Sequence, residues 1–371
     1  MKITNFWNLL DTSGEIKKLP YLHGVEMEYF ILDDNYKPIT KNEKLISLVE
    51  HFYDIIQGKI KSDSKFKKKI NSLDLCNKSK LREREHSDDI KKVQTVSIEY
   101  RQPNYNYKPQ PIDIIGKDTN IGTGGFITLE LVTPPCSSIE ELRWWIKSIF
   151  NSTLEGCKKL RIKFLPIASH PKIKKNFCGE HHHIGIKNMK DRIKVYNTMR
   201  LFIPLISILT FTSFDKQIHR SMDNINKEFI ETKFPNCIRS LRLNQTSQIQ
   251  PIPPIFKNHD IESFAKDVGL NVDTCRMVDL YPFSKYGTIE VRMFDTQISI
   301  ARSVSTAIIL QSICQYALDL DDDILNIINK IVSKRVYEIL RHEYIKNGLE
   351  SRQNFNYSFL NKELGYICKL C

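Results

Sequence analysis

Three short runs of this chain carry polar residues at every second position among apolar ones. They are Glu26 and Glu28 in HGVEMEYFIL, His181 and His183 in GEHHHIGI, and Glu290 and Arg292 in YGTIEVRMFDTQ. Side chains alternate between the two faces of a strand, so residues two apart project together. Each run therefore predicts a strand with one polar face. In HGVEMEYFIL the acids alternate with Val25, Met27 and Tyr29, which places an apolar face opposite. A face built from acids alone would repel itself unless cations neutralised it. The recurring pairs point to one polar, metal-filled sheet face. For Glu290 and Arg292 taken by themselves, an ordinary salt bridge along the strand is the alternative.

The acids and imidazoles in strand-like runs are Glu26, Glu28, Glu130, His181, His183 and Glu290. Hard cations such as Mg2+ prefer oxygen donors, and carboxylates holding such ions can clamp a phosphoryl group in transfer. A guanidinium on the same face suits phosphoryl oxygens, because its planar fork donates two hydrogen bonds at once. With Glu290 taken by metal, Arg292 is expected to be free to face the phosphate. Zinc is the rival cation, because Cys178-Gly-Glu-His181-His-His183 brings a thiol beside imidazoles.

The net charge is +12 over 371 residues, which suits anionic partners such as nucleotides, nucleic acid or a membrane surface. Lysine runs such as Lys67–Lys69 also read as plain solvated surface. The nine cysteines have no framework spacing, MKITNFWNLLDTSGEIKK lacks a continuous apolar leader, and Leu201–Phe214 is too short to span a bilayer and contains Pro204. A reduced, cytoplasmic, soluble protein is expected. The terminal Cys368-Lys-Leu-Cys371 reads as a tail with free thiols, since one CxxC makes only half a zinc site.

Along the chain, Gly24–Leu32 predicts the first strand and residues 43–57 an amphipathic helix. Residues 58–92 are dense in charge and poor in apolar residues, and read as a peripheral insertion or flap. Strands follow at Val93–Arg101 and Phe126–Thr133, the latter stopped by Pro134 and Pro135. Ser138 with Glu141 offers a capping box for a helix through Leu142, Trp145, Ile146 and Ile149. A strand at Lys163–Ala168, the histidine strand, a buried helix over 190–214, a loop-rich stretch over 215–260, the strand Gly287–Phe294 and a helical region over 298–345 complete the pattern. A single domain over 1–371 is expected, with a mixed or antiparallel sheet and helices outside it.

Four blocks, HGVEMEYFIL (23–32), TLELVTPPCSSIEEL (128–142), GEHHHIGI (179–186) and YGTIEVRMFDTQ (286–297), occur in an order that resembles the glutamate–cysteine ligase group of carboxylate–amine ligases, within the glutamine synthetase superfamily. The resemblance spans roughly residues 20–310. It implies an α+β fold: a curved, largely antiparallel sheet whose concave face takes Mg-ATP and amino-acid-like substrates, with helices on the outer face. It also implies that Glu26, Glu28, Glu130, His181 and Glu290 ligate Mg2+, that Arg292 contacts the phosphate of ATP, and that His183 lies on the nucleotide side. The reaction implied is amide formation through an acyl phosphate. Thr123 stands where some members carry a further metal-binding acid, and the segments 58–92 and 97–107 match no family pattern.

Two other readings stay open. One stops at phosphotransfer, as in the guanidino kinases, whose signature cysteine region is not evident here. The other is a non-catalytic nucleic-acid-binding protein, suggested by the net charge and by the aromatic residues near Arg101. That reading leaves the strand acids unexplained, so nucleic acid is not expected as a partner, and neither is a membrane. Assembly into a homo-oligomer is left open.

Overall fold

The computed structural model describes residues 18–37, 128–169, 177–212, 251–257, 260–284 and 287–345 with their side chains, together with isolated positions among 39–62 and Ser240, Arg242 and Leu243; the strands between 74 and 127 and residues 346–347 are described by backbone alone. The strands are β1 (Lys18–Leu32), β2 (Asp74–Leu75), β3 (Leu81–Arg84), β4 (Val93–Val96), β5 (Tyr100–Arg101), β6 (Ile112–Lys117), β7 (Phe126–Val132), β8 (Cys136–Ser138), β9 (Lys163–Leu165), β10 (Gly179–Gly185), β11 (Leu280–Tyr281) and β12 (Thr288–Asp295). The helices are α1 (Ile139–Lys159), α2 (Met189–Thr210), α3 (Ile261–Val268), α4 (Ile300–Asp319), α5 (Asp322–Ile331) and α6 (Lys334–Asn347).

One open sheet runs in the order β11-β12-β10-β1-β7-β6-β4-β3, with β8 and β9 also paired to β1. Every pairing is antiparallel. The three polar-paired runs, β12, β10 and β1, lie side by side at its centre. On the apolar face of β1, Val25, Met27, Tyr29 and Ile31 pack with Leu129 and Leu131 of β7 and with Leu142, Trp145, Ile146 and Ile149 of α1. A second core joins Ile184, Ile289, Val291 and Met293 to α2 and α4. The fold is thus mixed helix and antiparallel sheet, as expected, and the helices cover the apolar side.

Local departures from the sequence reading have simple causes. β1 begins at Lys18 rather than Gly24, because β8 pairs with its first half, where Lys18 faces Ser138 and His23 faces Cys136. Ser138 caps α1 by accepting from the Glu141 backbone N–H at 3.1 Å. The Glu141 carboxylate, however, returns to Ser137, accepting from its N–H at 2.7 Å, so the capping box closes one residue early. The helical region over 298–345 is three helices, divided where Asp321 caps α5 and Ser333 precedes α6. Within the charged segment over 58–92, Leu81–Arg84 forms an edge strand of the main sheet; charged side chains are common on such edges. The rest of that segment lies mostly outside the described residues, as does the terminal CxxC. Among the described residues no helix is long and apolar enough to cross a membrane.

Candidate functional site

Antiparallel register stacks the polar residues in rows across the sheet. In one row Gly24, His183, Glu290 and Tyr281 stand opposite one another; in the next Glu26 faces His181; in the next Glu130 faces Glu28. Residues directly opposite share a face and approach closely. Between β10 and β12 the register shifts: Glu180 pairs with Phe294 but His182 with Val291, so His181 stands against both Arg292 and Met293. A bulge of this kind re-aims side chains locally.

The carboxylates of Glu26 and Glu290 and the imidazole of His183 converge, each offering a ligand atom, all within 4.8 Å of one another. His183 Nε2 lies 3.2 Å from Glu26 Oε1, and Thr288 Oγ1, 3.1 Å from His183 Nδ1, holds the ring from its far side. His181 Nδ1 stands 3.4 Å from the other oxygen of Glu26. Glu28 Oε2 accepts from the Gly179 N–H at 2.8 Å, one row away from the trio, and Glu130 stands beside Glu28 on β7. Glu26, His181, His183, Glu290 and Arg292 therefore meet in direct contact, while Glu28 and Glu130 border them. His183, placed on the nucleotide side by resemblance, stands within the donor trio.

Burial and mutual charge set the ionisation of the cluster. Burial works to raise Glu26, but the charge of His183 and the hydrogen bonds from His181 and His183 hold its carboxyl well below the usual range. Burial likewise opposes ionisation of Glu290, and Arg292 and His183 outweigh it. Burial would lower His183, yet Glu26 and Glu290 raise it, whereas burial and then Arg292 lower His181. Glu26 and Glu290 are thus anionic, and the face is strongly polarised.

Arg292 forms the ion pair that stood as the alternative reading of this block. Its Nη1 donates to Glu290 Oε1, forming the ion pair along the strand. A carboxylate as buried as that of Glu290 takes the nearest cation, since an unpaired charge there is costly.

Sequence reasoning missed Arg242 and Asp113. Arg242, from the stretch read as loop, is buried against β12: Nη1 donates to Met293 O and Phe294 O, both at 3.1 Å, and Nη2 to Arg292 O at 2.9 Å. An arginine in a segment read as loop, with no strand or helix pattern to aim it, gives no signal. Asp113 of β6 stands opposite Glu130 by register; in PIDIIGK it is a single acid among apolar neighbours, with no polar partner at i±2.

Arg242 explains the glycine that opens GEHHHIGI. A Cβ on Gly179 would sit 2.7 Å from Arg242 Nη2 and 3.2 Å from His181 Nε2. The guanidinium cannot swing away without giving up its three carbonyl bonds. Gly179→Ala is therefore expected to destabilise the fold by about 1–3 kcal/mol, the usual scale of overpacking. Urea unfolding of the two proteins measures it, and a loss below about 0.5 kcal/mol, the range of neutral surface changes, would show that the contact is soft.

No family model matches the sequence. Among solved structures, the chain is similar to a novel glutamine synthase homolog, at 9% identity and a TM-score of 0.40, over 95% of this chain and 71% of that one. It is also similar to apo GmaS without ligand, at 10% identity and a TM-score of 0.37, over 95% of this chain and 74% of that one.

The remaining polar residues of the last block have structural partners. Thr296 Oγ1 donates to Glu28 O at 2.7 Å, tying β12 to β1. Asp295 accepts from Ser240 Oγ at 2.9 Å and from the Thr212 N–H at 3.2 Å, while Gln297 Nε2 donates to Thr210 O at 2.8 Å. Cys178 is buried and is not among the three clustered donors, so a thiolate zinc site gains no support among the described residues.

Proposed function

We propose that this chain is an ATP-dependent carboxylate–amine ligase that works with Mg2+ on the polar face of the main sheet, and that its substrates are amino-acid-like small molecules. The observation that carries the reading is the convergence of Glu26, His183 and Glu290, on three neighbouring strands, beside the Arg292 guanidinium. The ordered blocks that resemble the glutamate–cysteine ligase group contribute these same residues. Two carboxylates and an imidazole, without a thiolate, suit a hard or borderline divalent cation. Glu26, His183 and Glu290 would hold it, with Glu28, Glu130 and His181 at its border. Such an ion, when bound, neutralises phosphate charge and orients the triphosphate.

The chain's own residues supply the rest. A face of ionised acids repels a nucleotide until its charge is compensated, so ATP binding and cation binding are coupled here. Arg292, paired with Glu290 in this structure, would turn its guanidinium fork to phosphoryl oxygens once Glu290 held a cation. The substrate carboxylate attacks the γ-phosphate, ADP leaves, and the amine then displaces phosphate from the acyl phosphate to form the amide. Positioning and charge neutralisation carry such a transfer, and no protein nucleophile is required.

The test is phosphate release from Mg-ATP across a panel of amino acids supplied singly and in pairs. The ligase reading expects release that needs a carboxylate and an amine together, with an amide among the products. Release with an amine or guanidine alone, yielding a phosphorylated acceptor, would indicate phosphotransfer instead. No release with any pair would overturn the reading.

A further inference from the structure

Behind the candidate site, on the apolar side of the sheet, an unbroken hydrogen-bond chain links buried polar side chains. The Tyr21 backbone N–H donates to Gln311 Oε1 at 3.2 Å. Gln311 Nε2 lies 3.1 Å from His23 Nδ1, His23 Nε2 lies 2.8 Å from His182 Nδ1, and His182 Nε2 lies 2.9 Å from Glu180 Oε1. Ser303 Oγ donates to Glu180 Oε2 at 2.6 Å. His23, Gln311, Glu180 and His182 are fully buried and Ser303 nearly so. Ser303 and Gln311 both belong to α4, so one helix holds the two ends of the chain.

The proton order follows from one fixed donor. A backbone N–H can only donate, so Gln311 must turn its oxygen to Tyr21 and its NH2 to His23. His23 Nδ1 then accepts, which puts the His23 proton on Nε2. His182 Nδ1 accepts that proton's hydrogen bond, so the His182 proton is also on Nε2, directed at Glu180. We propose that Gln311, His23, His182 and Glu180 form a hydrogen-bond chain with a single proton order that positions the strand carrying His181 and His183. His182 sits between those two residues, and its ring, held at both nitrogens, fixes the local twist of β10. Glu180 and Gln311 are thus positioning residues. This consequence rests on the cation-binding role proposed above; the proton order does not.

Exchanging the ends tests the order. Above about pH 8, where the carboxyl of Glu180, raised by burial, is ionised, Gln311→Glu removes the NH2, drives both rings to carry their protons on Nδ1, and leaves His182 Nε2 facing the Glu180 carboxylate, acceptor against acceptor. Adding Glu180→Gln supplies an amide donor to His182 Nε2, while its oxygen takes the Ser303 hydroxyl, so every link is restored with the opposite order. Gln311→Glu alone is therefore expected to weaken Mn2+ affinity and Mg-ATP turnover by about 10–100-fold, the scale for supports of metal ligands. The double variant should recover most of that loss, although the two positions are not in contact. Nitrogen-15 spectra of histidine-labelled protein should show His23 and His182 protonated at Nε2 in the natural sequence and at Nδ1 in the double variant. An Nδ1 proton on either ring of the natural sequence, or a double variant no better than Gln311→Glu, overturns the proposal. If the natural protein releases no phosphate with any substrate, only the ligase reading falls, because the tautomers and the Mn2+ affinity still read the chain.

Discussion

Arg292→Lys should leave ATP affinity near normal and lower phosphate release by roughly 100-fold or more, the scale of losing one preorganised donor at a transferring group. Lysine keeps the charge but not the planar fork. An interaction made mainly in the transition state shows itself in turnover rather than in binding. Arg292 donates to Glu290 in the structure, and lysine could also satisfy that carboxylate. If the ion pair were the whole role of Arg292, the variant would retain its activity. Equilibrium ATP binding and phosphate release measured on this one protein separate the two roles, and preserved turnover would defeat the assignment.

Glu26→Ala should abolish cation-dependent turnover, by about 100-fold or more, since a bound cation contributes several kcal/mol of charge stabilisation. Glu26 is the informative position because its side chain is 21% exposed and touches His181 and His183 rather than a packed core. Its loss leaves no sizeable cavity, so the fold should survive. Glu290→Ala is a poorer probe. Glu290 is only 5% exposed and is paired with Arg292, so its removal strands a buried guanidinium. That costs about 3–5 kcal/mol and mixes loss of fold with loss of function. Circular dichroism of Glu26→Ala, with turnover measured beside it, distinguishes an intact but inactive protein from an unfolded one.

Much of this site was legible in the sequence because strand alternation is a local rule. Glu26 and Glu28, His181 and His183, and Glu290 and Arg292 each announce a polar face from spacing alone, and the structure sets all three strands side by side. Which residues meet across strands depends on register, which spacing does not give. The register puts Gly24, not Glu28, opposite His183, and so joins His183 to Glu26 and Glu290 as the converging donors. The bulge that sets His181 against both Arg292 and Met293 adds a residue to one strand only, and nothing in YGTIEVRMFDTQ marks it. Arg242 was invisible for another reason: its three bonds go to backbone carbonyls, which carry no sequence signature. The buried chain from Tyr21 to Glu180 shows the same limit. His182 reads as the middle of a polar triplet, yet it faces away from its neighbours, into a layer closed by α4.

Glu26, His183 and Glu290 are proposed to bind a divalent cation, and that binding can be measured directly. Mn2+, a spectroscopically visible substitute for Mg2+, can be titrated into the natural protein and into Glu26→Ala and followed by electron paramagnetic resonance. Bound Mn2+ should saturate in the natural protein, compete with Mg2+, and weaken by at least about 10-fold in Glu26→Ala. Equal Mn2+ affinity in the two proteins, with the fold intact, would show that Glu26 does not hold the cation.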